Sequence, residues 1–452
     1  MKETLILIAL IFTLQQTTAQ TITGILKYHA GQELSLVGFN NYKTVELAKT
    51  QTDSLGNFTL NYPKAYKGMA LLKSQDKNSL VLLLNQTFTI IKGTHISETD
   101  SLQLNATENK LFFNYAMGQG YRTNALNAWK YLDKLYNTQA LFKKQEIAKN
   151  SIQKELKRIK AVDTKLVNSL DKNSYLAWFI PIRKLIQETP TIMRTETERI
   201  PEAIAQFRNT NFNNPNFKTS GVLREYIEKH YFLIENMGLS IDSVAVQMNL
   251  SSNALINTIK DNKGLLNKIS ENLFTYLEKR SLYKSSEYLA VTLLKDHQKD
   301  LEINVINRLE KYVSLKVGNT APDIQITTTK KLSDYKQPVL LVFGVSDCGP
   351  CKKEAIELLK YYDAWKTKKD VEVVYISIDT DKEAYKTAYQ NAPWQSYCDY
   401  KGWESPAVKE YYIWATPTYF LLDENLKILS HINSVAHANA WVTSRLKDIV
   451  VR

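Results

Sequence analysis

Val339-Leu340-Leu341-Val342-Phe343-Gly344-Val345 runs into Ser346-Asp347-Cys348-Gly349-Pro350-Cys351, and residues 352–365 continue with helical texture. The apolar run reads as a buried strand. The stretch after it reads as a helix with one apolar face, because Ala355, Leu358, Leu359 and Tyr362 recur at i, i+3, i+4 and i+7. The turn between them carries two thiols three positions apart. The leading N–H groups of a helix lack intrahelical partners and carry the positive end of its dipole. A thiolate at Cys348 is therefore favoured, and its pKa is expected to fall. Pro350 suits the first turn, where no N–H is needed. Asp347 and Lys352 flank the pair with opposite charges, each worth roughly 0.5–2 pKa units at ~6 Å. They offset each other, so a moderate lowering is expected. Cys348 is expected to be the exposed, attacking sulfur and Cys351 the resolving one.

Two other uses of this spacing stand beside a redox pair. A purely structural disulfide closing so short a loop stabilises by only ~2 kcal/mol in the chain-entropy picture. Structural zinc wants four ligands. Beyond the pair the chain offers only Cys398 and six scattered histidines, none at ligand spacing, so no metal is expected. A dithiol/disulfide couple is the favoured reading.

With Cys348-Gly349-Pro350-Cys351 stand Gly318-Asn319-Thr320-Ala321-Pro322-Asp323 ahead of the strand, and Ala415-Thr416-Pro417-Thr418 before Tyr419-Phe420-Leu421-Leu422-Asp423. Gly402-Trp403-Glu404-Ser405-Pro406 and Tyr411-Tyr412 precede that proline. This ordered set resembles the TlpA-like branch of the thioredoxin superfamily, over about residues 316–452. The resemblance implies an α/β thioredoxin fold and a cis proline at Pro417 facing the cysteines, with the backbone at Thr416 and Pro417 pairing with a bound partner segment. Three positions depart from the family pattern. Asp347 stands where tryptophan is usual, and Gly344 where an aromatic is common, which predicts an open, polar rim. Val342 replaces the buried acid that thioredoxins carry six residues before the first cysteine. Asp379, after the strand-like residues 371–378, is the candidate proton relay; the rival expectation is that it starts the next helix. Thr380-x-x-Glu383 is itself a capping-box pattern.

The chain has 452 residues, room for two to four domains. The net charge of +12 contains no run of five basic residues. It reads as a lysine-rich solvated surface and not a nucleic-acid footprint. At the start, Lys2 precedes an apolar core over residues 5–14, and Thr17-x-Ala19 suits a signal peptidase. Residues 1–19 are expected to be a signal peptide cleaved near Ala19. The apolar core is too short to span a bilayer comfortably, and no later segment is long enough, so no integral membrane span is expected. The expected location is the periplasm. There Cys398 is expected to be buried and inert, with a third redox participant as the rival.

Residues 20–105 read as a small all-β sandwich or barrel. Ile22, Gly24, Leu26 and Tyr28 alternate, residues 80–84 form a buried-strand run, and Asp53-Ser54-Leu55-Gly56-Asn57 reads as a hairpin turn. The pattern resembles the β domain found ahead of exported TlpA-like domains. Residues 106–315 turn helical, with helical periodicity over 145–170 and 285–312, and with Pro181, Pro190, Pro201 and Pro215 expected to punctuate the helices. Residues 317–322 read as the linker to the thioredoxin-like domain at 316–452.

These readings converge on an exported thiol–disulfide oxidoreductase. It is expected to act as a reductase of disulfide-containing exported proteins, to need no cofactor beyond the Cys348–Cys351 couple, and to be recharged by a membrane thiol-reductant donor. Two alternatives remain: a binding or scaffold protein with a docking thioredoxin-like domain, and a net disulfide oxidase or isomerase.

Overall fold

The computed structural model describes residues 19–85, 88–98, 101–105 and 107–447. The expected leader lies outside them except for Ala19, which opens the first strand. The described residues divide into two compact units, one ending at Gly238 and one beginning at Leu239, so the helical stretch is shared between them.

The first unit begins with strands β1 (Ala19–Leu26), β2 (Glu33–Asn40), β3 (Lys43–Gln51), β4 (Asn57–Pro63), β5 (Gly68–Ser74), β6 (Ser79–Leu84), β7 (Phe88–Gly93) and β8 (Gln103–Leu104). They form two four-stranded sheets in the orders β4-β1-β7-β8 and β3-β2-β5-β6, a sandwich. Alternation selects the inner face: Phe58, Leu60 and Tyr62 of β4 are buried and the residues between them exposed. They meet Leu34, Leu36, Leu72 and Leu82 in one core. The turn before β4 is held by Asp53, whose carboxylate accepts from Leu55 N and Asn57 N at 2.8 Å each. Gly56 in that turn has φ +82°, and a Cβ there would lie 2.3 Å from Leu26 O, so only glycine fits.

Helices α1 (Thr107–Thr138), α2 (Glu146–Ser169), α3 (Tyr175–Thr195), α4 (Ile200–Arg208) and α5 (Leu223–Glu235) complete this unit. Buried Asn109 of α1 clips the helix to β6: it accepts from Leu83 N at 2.7 Å and donates to Leu83 O at 2.8 Å. Pro181 and Pro190 do not punctuate; both lie inside α3. A proline there removes one N–H, and the buried Phe179, Ile180, Ile182, Ile186 and Ile192 hold the helix through the defect. Pro201 does sit in the first turn of α4, and Pro215 opens a short 3-10 turn.

The second unit opens with α6 (Ile241–Ile259), α7 (Lys263–Lys279), α8 (Tyr283–Asp296) and α9 (Ile303–Ser314). The periodic stretch 285–312 is thus broken between α8 and α9. Then follow β9 (Val339–Gly344), α10 (Gly349–Ala364), β10 (Glu372–Ser377), α11 (Lys382–Tyr389), β11 (Gln395–Cys398), α12 (Pro406–Glu410), β12 (Thr418–Leu422), β13 (Ile428–Ile432) and α13 (Val435–Arg445). The sheet order is β11-β10-β9-β12-β13. β9, β10 and β11 are parallel, and β12 and β13 run antiparallel to their neighbours. This is the thioredoxin-like α/β arrangement. β9 is buried along its whole length, as a central strand covered on both faces must be. Leu340 and Val342 face Leu358 and Tyr362 of α10 and Val442 of α13; Leu341 and Phe343 face Tyr411 and Ile326. The expected linker is pinned to the sheet: Gly318 N donates to Ile428 O at 2.8 Å, and Ala321 N to Leu426 O at 2.8 Å. Among the described residues no helix is long and apolar enough to cross a membrane.

Candidate active site

β9 ends at Gly344 and delivers the chain to the cysteine turn, while α10 begins at Gly349 with Cys348 as its N-cap. Cys348 and Cys351 are joined as a disulfide with Cα atoms 5.1 Å apart. Cys351 N–H points at Cys348 Sγ from 3.1 Å, the helix-terminus donor that favours charge on that sulfur. Cys348 is half-buried, whereas Cys351 is 2% exposed. Only the first sulfur is within reach of a macromolecule.

The Thr416-Pro417 bond is cis, and Thr416 O lies 3.5 Å from Cys348 Sγ. The two motifs, far apart in sequence, therefore meet in space. Gly349 and Pro350 are exposed in the first turn of the helix. Asp347 is exposed beside them, as expected of a polar rim.

Asp379 is 4% exposed and lies behind the turn. Its carboxylate accepts from Ser346 N at 3.1 Å, Ser346 Oγ at 2.5 Å and Ser377 Oγ at 2.5 Å. It does not start the following helix. Asp381 caps α11, accepting from Glu383 N at 2.8 Å and Ala384 N at 2.9 Å, and the Thr380-x-x-Glu383 capping box does not form. The Asp381 carboxylate, one position after Thr380, reaches the free N–H groups. Gly344 is explained by Tyr375: a Cβ at Gly344 would lie 1.9 Å from the Tyr375 hydroxyl, so the aromatic comes from the neighbouring strand. Val342 packs in the core beneath α10. Cys398 is a buried free thiol. Burial pushes it up, and its Sγ lies 3.3 Å from Asp379 O.

One group of potential metal ligands lies elsewhere, in the sandwich. His29, Asp76 and His95 bring their ligand atoms within 4.8 Å of one another, a meeting that their sequence spacing does not announce. Each ring nitrogen already has a protein partner. His29 uses Gln32 Oε1 and Ile96 N; His95 uses Asp76 Oδ2 and Ser97. The cluster ties turns together.

The described residues also include Glu278, a buried acid at the end of α7. It lines the same pocket as Trp414, Ala415 and Pro417. Nothing in the local sequence Leu277-Glu278-Lys279 signals this.

Residues 336–428 match a family model described as thioredoxin-like. No curated protein matches the chain significantly. Among solved structures, the thioredoxin domain of a thiol-disulfide oxidoreductase from Bacteroides vulgatus is 28% identical, covering 29% of this chain and 97% of that one, with a TM-score of 0.27. A thiol-disulfide oxidoreductase from Bacteroides fragilis NCTC 9343 is 30% identical, over 27% and 96%, with a TM-score of 0.25. A thiol:disulfide interchange protein from Bacteroides sp. is 26% identical, over 29% and 93%, with a TM-score of 0.26. By the family match and by a paired-cysteine turn that meets its proline loop, this chain belongs, through its C-terminal domain, to the thioredoxin-like thiol–disulfide oxidoreductases.

Proposed function

We propose that the protein is an exported reductase of protein disulfides. Cys348 as thiolate attacks a partner disulfide. One partner sulfur leaves as a thiolate, and the other stays bonded to Cys348 while the partner backbone pairs beside Thr416 and Pro417. Cys351, deprotonated, then attacks Cys348 Sγ and releases the second partner thiolate. Two electrons pass to the partner, water supplies the two protons, and a Cys348–Cys351 disulfide remains. A membrane thiol-reductant donor returns those electrons, and no other cofactor takes part. Asp379 enters as the anchor of the turn, bonded to the Ser346 hydroxyl, and as the candidate proton relay. Residues 1–19 act as the signal peptide that delivers the chain to the periplasm.

The observation that carries this reading is one sulfur half-exposed at a helix start, 3.5 Å from Thr416 O, with its mate buried behind it. Cys351→Ser tests it. The variant should accumulate covalent, thiol-reversible adducts on Cys348 in the native compartment, identifiable by mass spectrometry, and Cys348→Ala should not. No adducts, together with a Cys348 inert to alkylation at neutral pH, rejects the reading. A potential near about −270 mV supports reduction as the net direction, and one near about −120 mV supports oxidation.

A further inference from the structure

The helices of the second unit reach the active-site loop. Arg308 of α9 donates to the Tyr412 hydroxyl. His431 Nε2 is 2.9 Å from Leu315 O, and the Tyr283 ring stands 5.2 Å from the His431 ring. Between these helices and the proline loop lies a pocket of about 130 Å³. Ala415 and Pro417 form one wall, and Tyr283, Tyr312 and Trp414 supply aromatic surface. Glu278 is 4% exposed and lines the pocket, and its Oε1 is buried without a hydrogen-bond partner. Burial pushes the carboxyl up, opposed by Ser286, Tyr312 and Trp414 as hydrogen-bond partners and by the charge of Arg308.

We propose that this pocket receives a lysine or arginine side chain of the partner's disulfide-bearing segment. Its charged head bonds Glu278 and its stem lies on the aromatic walls. The inference rests on the exchange reading above and names the partner chemistry that site prefers. An extended segment paired beside Pro417 sends alternate side chains to opposite faces, and Ala415 and Pro417 themselves wall the pocket. A buried acceptor left empty is costly until a donor fills it, and a cationic donor adds to the groups that favour the anion. Aromatic faces attract the same cation. An aliphatic or acidic side chain would leave Oε1 unbonded. Lys279 at the rim is exposed, where water and salt screen its repulsion.

The test uses the full chain in its dithiol form and two disulfide-bridged peptides that differ only in lysine or norleucine beside the cysteines. Each turnover converts the peptide disulfide to two thiols and the enzyme dithiol to a disulfide. For the wild type, the second-order rate constant of this single turnover should be about tenfold higher for the lysine peptide. The ratio should fall to about one in Glu278→Gln. Trp414→Leu, at a side chain 38% exposed and so no threat to folding, should lower the ratio several-fold. Equal rates for both peptides in the wild type, or a ratio kept in both variants, overturns the pocket assignment and leaves exchange intact. No exchange with either peptide or with a small aromatic disulfide overturns the exchange reading and the pocket with it.

Discussion

Replacing Asp379 by alanine should destabilise the second unit through the turn that carries Cys348. The carboxylate takes bonds from Ser346 N, Ser346 Oγ and Ser377 Oγ, and Ser346 and Ser377 are 8% and 1% exposed. Water cannot readily replace what is lost. Hydrogen bonds to a charged group are worth about 1.5–3 kcal/mol each. Three bonds sharing one carboxylate are not additive, and removing a buried charge recovers part of its desolvation cost. A net loss of about 3 kcal/mol follows. For a unit of roughly 200 residues, that is a fall of about 6–12 °C in Tm. Asp379→Asn keeps one acceptor oxygen for Ser346 N, and the serine hydroxyls can rotate to suit the amide. It should cost about half as much. Thermal melts of the oxidised protein, followed by near-UV circular dichroism, measure both. A fall below about 2 °C for Asp379→Ala, or equal damage from both variants, refutes the anchor argument. Asp379→Asn that melts like wild type but exchanges far more slowly would make the residue a relay and not an anchor.

Two predictions concern the first unit. Burial, and then the Arg208 charge, hold the His230 imidazole well below its usual 6.5. Unfolded, it gains a proton near that pH; folded, it does not. The unfolded state therefore binds more protons, and stability falls as pH drops from about 6.5 toward the depressed value, with a slope approaching ~1.4 kcal/mol per pH unit. Urea unfolding of wild type and His230→Gln at several pH values checks this, and identical pH dependence in the two refutes it. Asn109→Ala should strip Leu83 of both backbone partners and cost about 2–4 kcal/mol. A loss under about 1 kcal/mol in the same assay would show that the α1–β6 clip is not structural.

Local chemistry made much of the C-terminal domain readable. An all-apolar run implies a strand covered on both faces, and Cys348–Cys351 at a helix start implies a charge-stabilised thiolate, because both effects act over a few residues. The turn at Asp53–Asn57 was legible for the same reason: its carboxylate bonds its own backbone. The expected hairpin was not borne out, because β3 and β4 pair in different sheets and the turn carries the chain from one to the other. Pro181 and Pro190 misled because helix packing at Ile180, Ile182 and Ile186 outweighs a local defect. Asp379 misled because its partners Ser346 and Ser377 come from the turn after β9 and the end of β10, not from the helix after it.

The sequence by itself determined the chemistry: two thiols, their spacing, the helix that polarises one of them, and a proline before a later strand. It also pointed to Cys348 as the attacking sulfur, but only the tertiary structure decided how deeply Cys351 is buried, and that Thr416 stands 3.5 Å from Cys348. The tertiary structure also decided that Glu278 reaches the edge of the proline loop. The reason is range. Helix dipoles, caps and turn bonds are set by neighbours along the chain, whereas burial and the meeting of residues 278, 348, 379 and 417 depend on how strands and helices stack.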